Sequence, residues 1–190
     1  MVSDALRLAV IIGSTRVGRA CDTVGGWLAE LARLRDDLAV ELLDLAGYTF
    51  PGCYPQEATP AMCRFAAAIS RADAFVIVSP EYNRSFPASL KQAIDFAYDE
   101  WQAKPVGFVS YGSGSTGFYA VEQLRTVFSA LHTVTVRDWV GIDLLGEGVD
   151  AGGLPRDTDD RLRAVEAMLD QLTWWGRALR DARRAQPYVS

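Results

Sequence analysis

The sequence predicts an α/β domain that is built on a doubly wound, five-stranded parallel sheet with helices on both faces. Three observations support this fold class: nearly continuous apolar segments alternate with amphipathic ones, the apolar segments are short, and loops rich in Gly, Pro or Ser separate them. Short apolar runs are typical of strands buried on both faces, and regular strand–helix alternation is typical of parallel sheets. The strand order expected for such a sheet is 2-1-3-4-5.

Five strands and five helices can be assigned along the chain. The strands are predicted at residues 6–12, 38–43, 74–79, 105–110 and 133–137. The helices are predicted at residues 21–33, 60–71, 87–98, 117–131 and 159–183. Thr59 is suited to cap the second helix and Pro60 to its first position, and loops are expected at 47–58 and 145–155. The whole chain, residues 1–190, is expected to form a single domain.

Composition and charge exclude several classes of function. The formal net charge of −5 argues against non-specific nucleic-acid binding, which depends on Lys and Arg that neutralise phosphates. No apolar run reaches the length of a membrane span, and the N-terminus lacks the layout of a signal peptide. The three cysteines, Cys21, Cys53 and Cys63, form no CxxC pair. These features predict a reduced, cytoplasmic protein without a nucleic-acid or membrane partner.

The predicted strand order also predicts where a ligand binds. In the order 2-1-3-4-5, strands 1 and 3 are neighbours, and the chain leaves their carboxyl ends in opposite directions. The crevice that opens there is the expected ligand site. The loops after strands 1, 3 and 4 are expected to face it.

The loop after strand 1 has the features of a phosphate site. It reads Gly13-Ser14-Thr15-Arg16-Val17-Gly18-Arg19 and leads directly into the first helix. Free backbone N–H groups and the helix dipole favour an anion there, and Ser14 and Thr15 add hydroxyl donors. Arg16 and Arg19 add fork-shaped cations suited to phosphate oxygens. The alternative is an ordinary turn with two solvated arginines.

Two better-known phosphate motifs match this loop incompletely. The spacing from Gly13 to Gly18 is that of a P-loop, but Arg19 and Ala20 stand where that motif needs Lys and Ser or Thr. The hydroxyl that would hold Mg²⁺ is therefore missing. A dinucleotide-binding fingerprint needs GxGxxG, which residues 14–16 interrupt. A polar loop with few glycines is better suited to one terminal phosphate monoester than to a pyrophosphate.

The loops after strands 3 and 4 are suited to a planar heterocycle. The first reads Pro80-Glu81-Tyr82-Asn83-Arg84-Ser85-Phe86-Pro87, and its Tyr and Asn could stack on a ring and hydrogen-bond to it. The second reads Tyr111-Gly112-Ser113-Gly114-Ser115-Thr116, whose small residues allow close backbone approach. Each loop alone could equally be an ordinary turn, but convergence of all three on one crevice predicts a ligand site.

These motifs resemble those of the NADPH-dependent FMN reductases, which include chromate, quinone and azo-dye reductases of flavodoxin-like fold. The resemblance covers residues 8 to about 136. It depends on Gly-Ser-Thr-Arg-x-Gly-Arg after strand 1, and on Tyr-Gly at 111–112 followed by Glu-Gln-Leu-Arg at 122–125. Its most specific part is Pro-Glu-Tyr-Asn-x-Ser-x-Pro-x-x-Leu-Lys-x-Ala-Ile-Asp at 80–95.

The resemblance implies an FMN site on residues of all three loops. The implied FMN phosphate site consists of Ser14, Arg16 and Arg19. The implied contacts to the isoalloxazine and ribityl groups come from Pro80, Glu81, Tyr82 and Asn83. The implied loop at the pyrimidine edge of the ring consists of Tyr111, Gly112 and Ser113.

The resemblance further implies a reaction and an assembly. NADPH or NADH would reduce FMN, leave, and be replaced by a small-molecule acceptor such as free flavin or a quinone, which is a ping-pong scheme. The family is typically dimeric or tetrameric, so a homodimer or homotetramer is expected. Interface positions would then be found among Leu90, Ile94, Phe96, Tyr98 and Trp101, although core packing is at least as good an explanation for Leu90 and Ile94.

Several residues have more than one interpretation. Ser113, Thr116 and Tyr119 depart from the family's pattern in the loop after strand 4, which is called the fourth loop below. That loop is usually richer in glycine, and a basic residue often stands at the position of Tyr119. The three residues are expected to reshape the pocket. Cys21 could have a lowered thiol pKa at the helix start or be a small packed residue. His132, the only histidine, is expected to be structural and remote from the crevice. Glu81 could be an acid, but a backbone-fixing or solvated role is preferred. Arg84 could meet a phosphate of the nicotinamide co-substrate, but a solvated loop residue is preferred.

Two other functions remain open at this stage. A flavodoxin-type carrier of single electrons would share the fold and the acidic charge, but its first loop would favour hydroxyls over arginines. A domain that has lost flavin could act as a binding or regulatory module, and the three departures in the fourth loop keep this alternative open.

Overall fold

Strands and helices alternate along the chain, as the sequence predicts. The computed structural model describes residues 5–144 and 148–189. The strands are β1 (Leu6–Ile12), β2 (Leu38–Asp44), β3 (Ala74–Pro80), β4 (Pro105–Gly112), β5 (Val134–Thr135) and β6 (Val140–Asp143). The helices are α1 (Cys21–Arg33), α2 (Pro60–Arg71), α3 (Ala88–Asp95), α4 (Phe118–Ala130) and α5 (Asp159–Ala185). Thr59 caps α2 as expected, because its Oγ1 accepts from the Met62 N–H at 3.3 Å.

The sheet has the predicted order and direction. Its strands pair in parallel in the order β2-β1-β3-β4-β5, and β6 also pairs with β4. Val10 of β1 lies opposite Leu42 of β2 and Val76 of β3, so β1 is flanked on both sides. The predicted doubly wound α/β fold is confirmed.

Two apolar clusters cover the two faces of this sheet. Alternate residues of β1 belong to different clusters: Leu8 and Val10 pack with α1 and α5, whereas Ala9 and Ile11 pack with α2, α3 and α4. All seven residues of β3 are buried, which accounts for its continuous apolar sequence. Because α1 and α3 lie on opposite faces, the connections that follow β1 and β3 diverge.

The edge beside β4 differs from the prediction of one fifth strand at 133–137. It consists of two short strands: β5 pairs with the start of β4, and β6 pairs with its end. Arg125 of α4 accounts for the interruption, since its guanidinium donates to the carbonyl oxygens of Val136 at 2.6 Å and Arg137 at 2.7 Å. These contacts attach the segment between β5 and β6 to α4. The sheet therefore has six strands rather than five.

The third helix ends earlier than predicted. It was expected to reach residue 98, but α3 ends at Asp95 and a short 3₁₀ turn follows at Asp99–Trp101. The Trp101 indole N–H donates to the carbonyl oxygen of Ile94 at 3.1 Å. The Ile94 carbonyl also accepts from the Ala97 N–H at 3.3 Å, so the indole adds a second donor at the end of the helix.

Most residues expected at a subunit interface are part of the core. Leu90, Ile94 and Trp101 are at most 1% exposed, and Phe96 is also buried. Tyr98 is the exception in that set, with 54% of its surface exposed. Core packing is thus the explanation for four of the five residues.

Part of the predicted loop 145–155 lies outside the described residues, namely 145–147. Its remainder forms a small closed loop in which Val149 and Pro155 form an antiparallel bridge. Within the described ranges, no helix combines the length and the apolar character that crossing a bilayer requires.

The break in the edge strand leads to a stability prediction. Replacing Arg125→Ala should lower the free energy of unfolding by about 1.5–3 kcal/mol, because two carbonyl groups lose a charged donor. The measurement is urea unfolding followed by tryptophan fluorescence. Arg137→Ala, which removes a neighbouring exposed arginine from the same segment, should change that free energy by less than about 0.5 kcal/mol. Equal effects of the two substitutions would contradict the role assigned to Arg125.

Candidate functional site

A cavity of about 360 Å³ lies at the carboxyl ends of β1, β3 and β4. Its volume falls within the range of small-molecule sites. Eight of the ten predicted site residues line it: Arg16, Arg19, Pro80, Glu81, Tyr82, Tyr111, Gly112 and Ser113. The expected convergence of the three loops on one crevice is therefore observed. Ser14 and Asn83 are not part of the lining.

The loop after β1 is folded tightly onto the sheet. The Gly13 N–H donates to the carbonyl oxygen of Val78 at 2.8 Å, which extends the β1–β3 ladder by one residue. A Cβ on Gly13 would stand 2.9 Å from that oxygen and 2.9 Å from Leu90 Cδ2, so only glycine fits. Ser14 is 1% exposed, and its Oγ accepts from the Arg16 N–H at 3.4 Å. The buried Ser14 side chain thus stabilises the conformation of the loop.

Arg19 is fully engaged within the protein. Its guanidinium lies 2.7 Å from a carboxylate oxygen of Asp22 and 2.6 Å from one of Asp44, and it donates to the carbonyl oxygen of Ser14. Burial lowers the pKa of Arg19, but the hydrogen bonds and charges of Asp44 and Asp22 raise it above the ordinary value. Arg19 therefore holds the loop in shape while one side of it lines the cavity.

Arg16 differs from Arg19 in having no such partners. Its side chain is exposed and forms no ion pair within the described part of the chain. It lies next to the start of α1, where Ala20 occupies the cap position and supplies no side-chain hydrogen bond. The first N–H groups of a helix need an acceptor, and an anion can supply it. One free guanidinium beside an uncapped helix start fits a single phosphate group.

Glu81 joins the loop after β3 to the loop after β4. Its Oε2 accepts from the Ser115 hydroxyl at 2.8 Å and from the Tyr119 N–H at 3.1 Å. Its own N–H donates to the carbonyl oxygen of Tyr111 at 2.9 Å. The carboxylate thus caps the N-terminus of α4 and closes one wall of the cavity. Of the backbone-fixing and solvated roles that the sequence left open for Glu81, these hydrogen bonds correspond to the first.

The remaining residues of the β3 loop form a tight turn. Tyr82 and Ser85 exchange two backbone hydrogen bonds, of 2.7 and 2.9 Å, and Asn83 and Arg84 have positive φ angles of 51° and 66°. Asn83 is therefore at the exposed tip of the turn and not in the cavity wall. The Arg84 guanidinium lies 4.0 Å from the centre of the Tyr119 ring.

Two buried side chains beneath the loops, Cys21 and Tyr111, have raised pKa values. Burial raises the pKa of the Cys21 thiol, even though its neighbours lower it, and this thiol donates to the Val78 carbonyl oxygen at 3.2 Å. The idea that the helix start lowers that pKa is therefore wrong, and Cys21 is a packed residue. Burial also raises the pKa of Tyr111, whose side chain is 5% exposed and contacts Cys21. Neither group is suited to proton transfer at neutral pH.

The three residues that depart from the family's pattern in the fourth loop affect the pocket less than expected. Ser113 lines the cavity, but Thr116 and Tyr119 do not. Thr116 packs against Gly141 of β6, where a Cβ would stand 2.8 Å from the Thr116 Oγ1. These residues attach the loop to β6 and Glu81 rather than narrowing the cavity.

Three lining residues are outside the set of predicted contact residues, and His132 lies outside the cavity. Gly18, Ala20 and Leu144 complete the wall. Leu144 could have been found from the alternation of Val140, Ile142 and Leu144, which is the period of a strand. His132 is remote from the cavity, because its Nδ1 lies 2.9 Å from the Tyr188 hydroxyl near the C-terminus.

Comparison with known proteins identifies the family of this chain. The family model described as NADPH-dependent FMN reductase matches residues 6–145. The NAD(P)H-dependent FMN reductase of Schizosaccharomyces pombe is 37% identical over 133 residues, which are 64% of each chain. The match thus spans less than two thirds of that relative. The 2-hydroxy-1,4-benzoquinone reductase of Burkholderia sp. is 30% identical and aligns over 91% of this chain and 97% of its own.

Solved structures show the same fold. The flavoenzyme NAD(P)H:(acceptor) oxidoreductase FerB from Paracoccus denitrificans superposes with a TM-score of 0.76 at 23% identity. The superposition covers 92% of this chain and 98% of FerB. The family-model match, which spans most of the chain, and the near full-length match to the Burkholderia reductase establish that the chain belongs to the NADPH-dependent FMN reductase family.

Proposed function

We propose that this chain is an NAD(P)H-dependent, FMN-containing oxidoreductase that reduces a small-molecule acceptor such as free flavin or a quinone. The observation that carries the proposal is the convergence of three loops on one cavity, with an unpaired arginine beside an uncapped helix start. Family membership supports the same cofactor and the same electron donor.

The residues of the cavity fit FMN by their chemistry. Arg16 and the first N–H groups of α1 would hold the phosphate, because the described residues supply no ion pair to Arg16 and no side-chain cap to α1. Pro80 and Tyr82 offer flat apolar surface for the ring system, and Gly112 and Ser113 offer accessible backbone. Bound FMN supplies the chemistry of accepting and donating a hydride.

The protein's own contribution is binding and orientation rather than acid–base catalysis. Cys21 and Tyr111 have raised pKa values, and the Glu81 carboxylate is engaged with α4. Since donor and acceptor would use one cavity, the expected kinetic pattern is ping-pong. The lining residues are therefore expected to bind and orient the flavin and its substrates.

Names and functions of relatives support the acceptor class. The Burkholderia relative is named a benzoquinone reductase, and a Pseudomonas putida relative is named a quinone reductase. We further propose a homodimer or homotetramer, for which exposed Tyr98 is a candidate interface residue. The cytoplasm remains the proposed location, supported by three free cysteines in the described structure.

The proposal is tested by mixing the protein, FMN and NADPH or NADH with benzoquinone or excess free FMN. Absorbance at the nicotinamide band should fall only when the protein is present. Double-reciprocal plots of initial rate against nicotinamide concentration, at several acceptor concentrations, should give the parallel lines of ping-pong kinetics. Heat-denatured protein serves as the control. Failure to oxidise either nicotinamide with any acceptor would overturn the proposed function.

A substitution at Arg16 tests the phosphate site. Arg16→Ala should weaken FMN binding by about 1.5–3 kcal/mol, because a charge-assisted hydrogen bond is lost. Riboflavin, which lacks the phosphate, should bind the variant and the wild type equally. Fluorescence titration measures both affinities, and Val17→Ala, which alters the exposed neighbouring residue, is the matched control. An equal loss for riboflavin and FMN would mean that Arg16 does not contact the phosphate.

Glu81 is expected to maintain the shape of the cavity. Glu81→Ala should weaken FMN and riboflavin alike, by about tenfold, because the Ser115 and Tyr119 donors lose their acceptor and the wall loosens. It should also lower the free energy of unfolding by about 1–2 kcal/mol through loss of the helix cap. Glu81→Gln retains an acceptor oxygen and should fall between these values. Wild-type flavin affinity in the alanine variant would contradict this role.

A further inference from the structure

Arg84 occupies a position where the backbone favours glycine. It is the second residue of a two-residue turn in which both central residues have positive φ, 51° at Asn83 and 66° at Arg84. Turns of this type commonly have Asn followed by Gly, since glycine alone adopts the second conformation without steric cost. Asn83 matches this preference, but an arginine stands at the position where glycine is preferred. An arginine here needs a reason beyond the turn itself.

The Arg84 side chain stacks on a neighbour that is hydrogen-bonded to a residue of the cavity wall. Its guanidinium carbon lies 4.0 Å from the centre of the Tyr119 ring. The Tyr119 N–H in turn donates to Glu81, which lines the cavity. Stacking occupies one face of a guanidinium and leaves its N–H edge free for an oxyanion. The stacking thus ties the Arg84 guanidinium, through Tyr119, to Glu81 of the lining.

Arg84 also has no internal charge partner. In residues 5–144 and 148–189 no carboxylate forms an ion pair with it, whereas Arg19, on the opposite wall, has two. The chain as a whole carries a net charge of −5 and repels anions. An unpaired guanidinium on the rim is then the local feature that attracts an anionic ligand. Its fork geometry is suited to phosphate oxygens.

We propose that Arg84, stacked on Tyr119, binds a phosphate group of the nicotinamide dinucleotide at the rim of the flavin cavity. The inference rests on the proposed function, since it assigns a site to the electron donor of that reaction. Arg16 lies on the wall formed by the loop after β1, whereas Arg84 extends the wall formed by the loop after β3. The two unpaired arginines thus provide separate anchors for two phosphorylated ligands. Quinone acceptors carry no phosphate, whereas NADPH and NADH carry a pyrophosphate in every turnover, so we assign the second anchor to the donor.

The experiment measures binding and reduction separately on FMN-loaded protein. Calorimetry gives the dissociation constants of NADP⁺ and NAD⁺ for the wild type, Arg84→Gly and Arg84→Lys. Rapid mixing gives the rate of flavin reduction by NADPH and by 1-benzyl-1,4-dihydronicotinamide, a donor without phosphate. Glycine fits the positive φ at this position, so Arg84→Gly removes the side chain without adding strain. Arg64→Ala, which removes an exposed arginine of α2, controls for loss of one positive charge.

Arg84→Gly should weaken NADP⁺ binding about tenfold or more, and Arg84→Lys should recover part of the loss. The limiting rate with saturating NADPH and the rate with the phosphate-free donor should stay at wild-type values. Loss for NADP⁺ alone would place the 2′-phosphate at Arg84, and equal loss for NAD⁺ would place the pyrophosphate there.

Unchanged dinucleotide affinity, or an equal loss with the phosphate-free donor, would overturn the assignment. An effect on the quinone half of the reaction alone would overturn it as well. Failure of the proposed function is distinguishable, because wild-type protein would then oxidise neither nicotinamide.

Discussion

β1 and β3 pair in parallel at the centre of the sheet, from Leu8 opposite Ala74 to Ile12 opposite Val78. The chain leaves β1 toward α1 on one face and leaves β3 toward α3 on the other. A gap between the two connections follows from this divergence, and the cavity occupies it. The ladder continues to Gly13, where no larger residue fits against Val78 and Leu90. The position of the first loop, and with it the arginine beside α1, depends on that close approach.

Charge is distributed unevenly around this gap. Arg19 is bound by Asp22 and Asp44, and Glu81 is bound by Ser115 and the start of α4, so these two charges hold the loops in place. Arg16 and Arg84 lack such partners in the described structure and remain available to ligands. Charges that are satisfied within the protein shape the walls, and charges that are unsatisfied supply binding energy. A preformed wall lowers the conformational entropy that the protein must lose when a ligand binds.

Most of the fold could be predicted from sequence because buried parallel strands have a strong apolar signal. The edge was harder: Arg125 interrupts it through contacts to Val136 and Arg137 that are distant in sequence, and no local pattern reveals them. The site residues were predicted as a set, but their division of labour was not. Arg16 and Arg19 look alike in the sequence, and the Asp44 that distinguishes them lies at the end of another strand. Likewise, the pKa of the Cys21 thiol is raised by its burial beneath Tyr111, which the position at the helix start alone did not indicate.

Membership of the FMN reductase family favours a reductase over a one-electron carrier or a flavin-free module, and the arginine-bearing first loop agrees with it. We propose that the donors at the start of α1 and on Arg16 hold the flavin phosphate, and a crystal structure of the FMN complex would locate that group. We expect the phosphate within hydrogen-bond distance of the Arg16 guanidinium and the first N–H groups of α1, with Arg19 still paired to Asp22 and Asp44. A phosphate bound elsewhere, or an Arg19 released from both carboxylates to bind it, would rule this phosphate site out.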